Sequence, residues 1–446
     1  MKKRRNRIFT LLAGVLGVLT SWAQPYSLED VQRLALENNR VLKNARIEMQ
    51  AADADKDMAY TKYFPTASAS VMGFAAAKEI MRPELDLKKI VPGLPDWIQT
   101  TYGMDMLKSG ALANIMVAQP IYAGGQIVNG NKLAALQQEI RKLQYGMTEK
   151  QILQSVTEYY WQLASLDANA KTIEAAQAQL VAVHELTENF VDAGVINRND
   201  LLTVELKQQE LQSDHLQVDN ARELMRMLLA QLCGRADSLQ SFTLSLSPLT
   251  RVTPPDSVFV SPAKAVLDRE ELQLAGKAVA AKDLQYKMER GKLLPTVAVG
   301  AAGMYDYMHL KGYFKDMSNF NLIGFATVNI PITDWWGGKH SLKKAKLQWQ
   351  QAENDRQEAQ EKLQVDILAA WNNLTEAYAQ IEIAKKSVVS AAENLRLQMD
   401  QYRAGTSLMS DLLNAVTLDV KAQSSLTSAQ AKYQSRLADY RRKTGR

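Results

Sequence analysis

The longest patterned stretches of the chain are helical. Residues 126–191 and 339–402 are rich in Ala, Gln, Glu, Lys and Leu, without proline and with almost no glycine. They predict helices about 100 Å long at 1.5 Å per residue. After an Ala-Gly turn, each is followed by another predicted helix, at 200–233 and 411–443. In the former, apolar residues recur every seven positions, as in a coiled-coil seam: Val204, Leu211, Val218, Met225 and Leu232.

Four shorter segments alternate in polarity, at 66–75, 111–122, 296–305 and 322–332. Each has about the 10-residue length of a tilted transmembrane strand. No stretch after residue 23 has the ~18 consecutive apolar residues of a transmembrane helix. A membrane protein of this kind is therefore expected to be a β-barrel. Because small barrels need at least about 8 strands, four strands must share a barrel with other copies.

The chain repeats one plan twice. Ala193 to Leu202 recurs as Ala404 to Leu413, 211 residues later, and Pro120 recurs as Pro331 at the same distance. Each repeat reads as a helix (27–62 or 262–293), a strand pair and a long hairpin. We place the first repeat at 24–234 and the second at 262–446. The Ser-, Thr- and Pro-rich linker 235–261 has one short predicted strand at 242–246. The predicted fold class is an internally duplicated, mainly α protomer with a membrane β-barrel part.

The N-terminus predicts export. Basic residues precede a short apolar run, and Ser21-Trp22-Ala23 fits a cleavage site, so residues 1–23 are expected to be a secretory signal peptide. Its loss removes five of the 53 basic and none of the 48 acidic residues, which leaves 48 of each. This balance does not favour nucleic-acid binding. Cys233 is the only cysteine, so no intramolecular disulfide is expected.

No pattern of catalytic or cofactor-binding residues emerges. The four histidines are scattered, without metal-ligand spacing. The segment 125–132 resembles a phosphate loop, but Lys132 stands one residue too late to reach a phosphate. We therefore expect no enzyme activity, no cofactor and no metal. The turn residues instead have structural uses: Gly194 and Gly405 suit left-handed helix C-caps, and Asp200 and Asp411 suit helix starts.

The order of these elements resembles the outer-membrane efflux (TolC-like) family over essentially the whole mature chain. The resemblance rests on the repeated Ala-Gly-x5-Asp-Leu-Leu turns, on Phe64-Pro65 and Leu294-Pro295 before the strands, and on Pro followed by Gly-Gly after them. It implies a homotrimer in the outer membrane, with a 12-stranded barrel continued into the periplasm by the long helices. It also implies docking to a periplasmic adaptor and an inner-membrane pump, or to a type I secretion machine.

The resemblance also implies roles for individual residues. Asp200 and Tyr402 match positions that hold the periplasmic entrance closed, and Asp411 matches an acidic ring in that entrance. The sequence departs from the family pattern at Ser407, where a basic residue is expected, and at Asn414, where a second ring carboxylate is expected; Arg198 and Arg403 are alternative basic partners. The hairpin-tip candidates for adaptor contact are Gly194, Leu201, Gly405 and Leu412.

Three alternatives remain open from the sequence. Asp200 and Asp411 serve the gate, cap their helices, or do both. Five aromatic residues at the helix-proximal strand ends form a membrane-interface girdle or pack where strand meets helix: Tyr63, Phe64, Tyr122, Trp335 and Trp336. The alternative function is a periplasmic coiled-coil adaptor or scaffold of an export complex, although one hairpin with small β domains is more usual for adaptors. The exported solute is not encoded in a recognisable pattern.

Overall fold

The structure is a computed structural model. It describes residues 25–78, 84–99, 101–103, 107–235, 242–250, 252–310 and 316–445. The predicted signal peptide lies outside the described residues. So does the segment 236–241 of the predicted linker.

Two helices stand where one was predicted at 27–62. Ser27 caps α1 (Leu28–Asn38) through a reciprocal pair of bonds with Asp30. The chain then breaks at Asn39 before α2 (Arg40–Tyr60). The side chain of Asn39 causes this break, because its Oδ1 accepts from the backbone N–H of Val41 at 2.9 Å while its Nδ2 donates to the carbonyl of Leu232 at 2.9 Å. Both bonds satisfy helix-end groups that would otherwise be orphaned.

The corresponding helix of the second repeat is also divided. Pro262 occupies the first turn of α6 (Pro262–Leu267), as its fixed φ favours. Helix α7 follows as Glu270–Gly291. Arg269 lies at the break with its side chain buried, and its guanidinium donates to Glu271. The predicted single helix 262–293 was therefore wrong at this junction.

The two long hairpins are present. The first consists of α4 (Gln126–Asp192) and α5 (Arg198–Leu232), and the second of α8 (Asp334–Arg403) and α9 (Met409–Thr444). Gly124 and Gly125 have positive φ and form a turn before α4, as predicted. Gly337 and Gly338 instead lie inside α8, which begins five residues before its predicted start. A Cβ on Gly338 would lie 2.1 Å from Leu293 Cδ2, so a larger residue there would require the Leu293 side chain to move. Gly338 therefore packs closely against Leu293 and does not form a turn.

One antiparallel sheet contains the four predicted strands. They are β1 (Thr66–Ala75), β4 (Leu107–Ala123), β5 (Thr296–Leu310) and β6 (Met317–Asn329), in the order β1-β4-β5-β6. Between β1 and β4, a small hairpin of β2 (Glu84–Asp86) and β3 (Thr101–Gly103) flanks the short helix α3 (Leu87–Ile90). β6 ends before Pro331, which has no N–H to give to a ladder. The predicted linker strand is a single parallel bridge between Leu244 and Tyr26.

The chain forms two compact units, and each draws on both repeats. The first contains Met1–Met49, Arg141–Leu274 and Gln357–Arg446, and the second contains Gln50–Ile140 and Ala275–Arg356. The buried clusters lie in the first unit, and the sheet lies in the second. The predicted repeats thus describe the duplication, whereas the compact units follow contacts. Among the described helices, none combines the length and apolar composition needed to cross a membrane.

Candidate functional site at the hairpin tips

Both hairpins turn in the same way. Gly194 and Gly405 each have φ +69°, the left-handed conformation that favours glycine. In the first turn, the N–H of Val195 donates to the carbonyl of Phe190, and in the second, the N–H of Thr406 donates to Gln401, each at 2.9 Å. This six-to-one bond and the accompanying Gly N–H bond define Schellman motifs. The predicted C-caps are thus confirmed.

The two helices after the turns start differently. The side chain of Asn197 caps α5 by accepting from the N–H of Asn199 at 3.2 Å, whereas α9 starts at Leu408 without a side-chain cap. Asp200 and Asp411 lie in the first turns. Their carboxylates complement the helix dipole there. The interpretation that they are the caps was wrong, because Asn197 fills that role in the first hairpin.

A buried tyrosine joins the two hairpins near their tips. Tyr402 is buried on α8, and its hydroxyl lies 3.3 Å from Oγ1 of Thr187 on α4. Thr187 already donates its only hydroxyl proton to the carbonyl of Val183, so Tyr402 must donate to Thr187. Burial raises the pKa of the Tyr402 hydroxyl, the Thr187 hydrogen bond opposes this, and the nearby Asp200 carboxylate adds to the rise. The structure therefore brings Tyr402 and Thr187 into contact, and the charge of Asp200 acts on the tyrosine.

The other candidate gate residues lie on the surface of the protomer. Asp411 and Asn414 are exposed on α9, and Asn414 borders a groove that α9 forms with α5. Arg198 is exposed at the start of α5. Arg403 lies 3.9 Å from the Asp400 carboxylate on its own helix. Within the described part of the chain, neither arginine is paired with Asp411.

The candidates for adaptor contact differ in accessibility. Gly194 and Gly405 are exposed at the tips, and Leu201 is half-buried. Leu412 is fully buried in a cluster that includes Leu180, Val204 and Val416. Its side chain is thus unavailable for a partner, and the assignment of Leu412 as a contact residue is corrected to a core residue.

The five aromatic residues at the strand ends are all exposed within one chain: Tyr63, Phe64, Tyr122, Trp335 and Trp336. Trp335 Nε1 donates to the carbonyl of Leu293 at 3.0 Å, which fixes the start of α8 against the end of α7. Trp336 is 80% exposed. Packing at the junction of strand and helix therefore does not bury these rings.

Sequence reasoning missed two polar contacts at the tips. One is the Thr187 partner of Tyr402. The other is Ser407, which donates to Oε1 of Gln398 at 2.7 Å. Thr187 and Tyr402 are 215 residues apart, so only the packing of one hairpin on the other reveals their contact. The Ser407 contact would be easier to predict, because it links a turn to the helix just before it in the sequence.

Comparisons with known proteins agree on one fold. A family model for the outer membrane efflux protein matches residues 31–235 and 262–446. A search of the curated proteins finds no significant match. Among solved structures, the outer membrane protein VceC of Vibrio cholerae is similar at 16% identity and a TM-score of 0.73, over 94% of this chain and 96% of that one.

Two further structures cover the same 94% of this chain. The outer membrane channel CmeC of Campylobacter jejuni is 15% identical, with a TM-score of 0.73 over 85% of its own chain. The open state of the MtrE outer membrane channel of Neisseria gonorrhoeae is 18% identical, with a TM-score of 0.69 over 88% of its chain. At these identities the similarity establishes the fold, and the family model establishes the relationship.

Proposed function

Because the chain belongs to the outer membrane efflux protein family, we propose that it forms the outer-membrane exit duct of a tripartite efflux or type I secretion system. The duct lets solutes leave passively and carries out no chemical step itself. The family match covers both repeats, and so both hairpins. An adaptor would be expected to have only one hairpin. The observation that carries the proposal is an open four-stranded sheet that continues into two hairpins, whose long helices have 67 and 70 residues.

The sheet has the features of part of a shared barrel. Its strands have 10 to 17 residues, enough to cross the hydrocarbon region when tilted. Large apolar side chains stand exposed on it, including Val71 at 78% and Leu322 at 74%. Exposed apolar surface of this kind marks an interaction with lipid or protein. Three copies supply 12 strands, which closes the barrel and leaves no free edge.

The aromatic residues then mark one membrane boundary. Tyr63, Phe64 and Tyr122 lie beside the helix-proximal ends of β1 and β4, and Trp335 and Trp336 follow β6. Their exposure suits rings that sit at the level of lipid headgroups. The helices on this side extend into the periplasm, where the exposed turns at Gly194 and Gly405 meet an adaptor protein that is coupled to an inner-membrane pump.

The periplasmic entrance is proposed to lie at the hairpin tips. The Tyr402–Thr187 hydrogen bond, with Asp200 beside it, holds the two hairpins of one copy together. Asp411 is exposed and free of an ion pair within the described residues, so three copies place three carboxylates around the axis. Such a ring attracts cations to the constriction. Asn414 is neutral, so one acidic ring forms and not two.

Conductance in planar bilayers tests this function. The wild-type protein is expected to insert as a trimer and to form a cation-selective channel that multivalent cations block. Asp411→Asn should weaken block and selectivity while the trimer survives. Asp200→Asn is the matched control, because it removes the same charge from the equivalent position of the other hairpin. A monomer without conductance contradicts the proposed duct. An effect confined to Asp200→Asn would mean that the acidic ring is formed by Asp200 of the first hairpin and not by Asp411.

A further inference from the structure

Two helices border the open sides of the sheet. β1 and β6 are its edge strands. Helix α2 leads into β1, and α8 leaves β6. Since successive strands are antiparallel, the start of β1 and the end of β6 lie at the same end of the sheet. α2 and α8 therefore lie at this end of the sheet on opposite sides, each continuing from one of the two edge strands.

Between these flanks, neighbouring helices are joined by polar contacts. Gln138 of α4 donates to Asp53 of α2 at 2.6 Å and accepts from Lys56 at 3.2 Å. Lys277 of α7 forms an ion pair with Glu139 of α4. The junction of α7 and α8 has the indole bond of Trp335 already described. The contacts α2–α4, α4–α7 and α7–α8 are thus all made within one chain.

The outer face of α2 is an apolar seam with acidic borders. Ala51, Ala54 and Met58 follow a three-four spacing and are exposed, Met58 at 61%. They lie on the side away from Ala52, which is buried. Asp55 and Asp57 are exposed on either side of this seam. Neither forms an ion pair with any other described residue.

The outer face of α8 has the same layout with the opposite charge. Trp336 and Leu347 (54% exposed) lie on the side away from buried Ala345. Lys343 and Lys344 are exposed on either side. From residue 335 to 352 the chain contains four lysines and no acidic residue. In the part of the chain that the structure describes, none of the four lysines forms an ion pair. The corresponding residues of the first repeat, 124–141, contain one lysine, one arginine and one glutamate.

We infer that Lys343 and Lys344 of α8 pair with Asp55 and Asp57 of α2 in a second copy of this chain, and that these charges set the register in which the two outer faces pack. Apolar seams bordered by opposite charges are the arrangement by which antiparallel helices select partners. The helices run in opposite directions, with Met58 two residues before the end of α2 and Trp336 two residues after the start of α8. Asp55 and Lys343 then differ by about 6 Å in depth at 1.5 Å per residue, within the reach of a lysine.

The same faces cannot meet within one chain. Three strand spacings of about 4.8 Å separate β1 from β6, or about 14 Å. A contact between two different surfaces is head-to-tail, and such contacts form a ring when the rotation between copies closes, as it does in a shared barrel. The inference rests on the proposed shared barrel, because the pairing of β6 with the next β1 brings α8 beside the next α2. It assigns the charges that set the partner and the register of that contact.

Cysteine cross-linking tests the contact in the full-length membrane protein. Ala54→Cys combined with His340→Cys, one residue on each seam, should give covalent dimers and trimers with a short bis-maleimide. Each single variant should give none. Cys233 will not compete, because it is fully buried and burial raises its pKa to about 12. The control pair Ala54→Cys with Lys386→Cys moves one thiol 46 residues along α8, about 69 Å, and should stay unlinked.

Charge exchange tests the pairing itself. Asp55→Lys with Asp57→Lys should lower the temperature at which the oligomer dissociates, and so should Lys343→Asp with Lys344→Asp. All four changes together should recover most of the loss. Loss of anionic phospholipid from the lysine variant, with the oligomer unchanged, would mean that these lysines bind lipid headgroups and would overturn the inference. A double-cysteine variant that forms the oligomer but does not cross-link also overturns it, whereas a wild-type monomer contradicts the proposed function.

Discussion

The two long hairpins pair equivalent positions of their helices, but the residues at those positions differ in polarity. Three pairs face each other across α4 and α5 as charged or polar contacts: Asp167 with Arg222, Glu174 with His215, and His184 with Glu205. The positions 211 residues later hold mostly apolar or aromatic pairs: Tyr378 with Tyr433, Lys385 with Leu426, and Leu395 with Val416. The rings of Tyr378 and Tyr433 lie 5.9 Å apart. Duplication thus preserved the backbone and not the contacts.

The difference is explained by the number of helices that surround each hairpin. Helix α5 buries four residues and α9 buries thirteen, although they have 35 and 36 residues. α9 also contacts α4, since Thr427 donates to Asn169 at 2.7 Å and Asp439 accepts from Gln154 at 3.1 Å. α9 therefore has neighbours on more than one side, while α5 leaves Leu206 and Leu216 exposed. The number of apolar side chains on each helix therefore depends on how many neighbouring helices it packs against.

Equivalent leucines should differ most in their contribution to stability. Leu412→Ala removes a fully buried side chain and should lower the local unfolding free energy of α9 by about 2–5 kcal/mol. Leu201→Ala, at the matching position of α5, should cost about 1 kcal/mol or less, because its side chain is half-buried. Native-state hydrogen exchange of the α5 and α9 amides measures both. Equal losses would mean that contacts with other copies bury Leu201, and the contrast within one chain would fail.

The architecture could be predicted because its signals are local. A Gly that needs positive φ, a proline that ends a strand and a long run without helix breakers each act through neighbouring residues, so both turns and all four strands were located. The breaks at Asn39 and Arg269 were missed because their causes are distant or subtle. Asn39 bonds to Leu232, 193 residues away, and no sequence window contains both.

The tip was only partly predictable for the same reason. Tyr402 was identified from the family resemblance alone, and its partner Thr187 was not identified. Leu201 and Leu412 occupy the same place in the repeated motif, so the sequence assigned them one role. Their burial differs because α9 has a neighbour that α5 lacks. A repeat therefore predicts backbone geometry more reliably than it predicts exposure.

Loss of the ion pair across the first hairpin should have a smaller, pH-dependent effect. Burial opposes ionisation of Asp167, but Lys171 and Arg222 outweigh it and hold the pKa of Asp167 below its usual range. This stabilisation is present above the unfolded value of about 3.9 and disappears as the pH falls through the folded value. Arg222→Ala should therefore cost about 1 kcal/mol at pH 7, and much less near pH 3.

The control for this pair is Arg226→Ala on the same helix. Arg226 lies 3.6 Å from Glu223 on the surface, so its removal should change stability by at most a few tenths of a kcal/mol. Urea-dependent hydrogen exchange at several pH values compares the two variants. A loss in Arg222→Ala that persists unchanged at pH 3 would show that packing of the guanidinium, and not the charge of Asp167, stabilises this layer.

The smallest effect should come from giving the first hairpin an apolar pair of the second. His184 lies 3.6 Å from Glu205, and both side chains are partly exposed. His184→Leu with Glu205→Val should change the unfolding free energy by at most ~0.5 kcal/mol, because a solvated pair contributes little. The reverse exchange, Leu395→His with Val416→Glu, places a carboxylate where Val416 is almost fully buried and should cost ~3 kcal/mol or more. The asymmetry follows from α9 lying in the core and α5 at the surface. If both exchanges were neutral, the layer would tolerate either chemistry, and the difference between the hairpins would reflect drift rather than the neighbours of each helix.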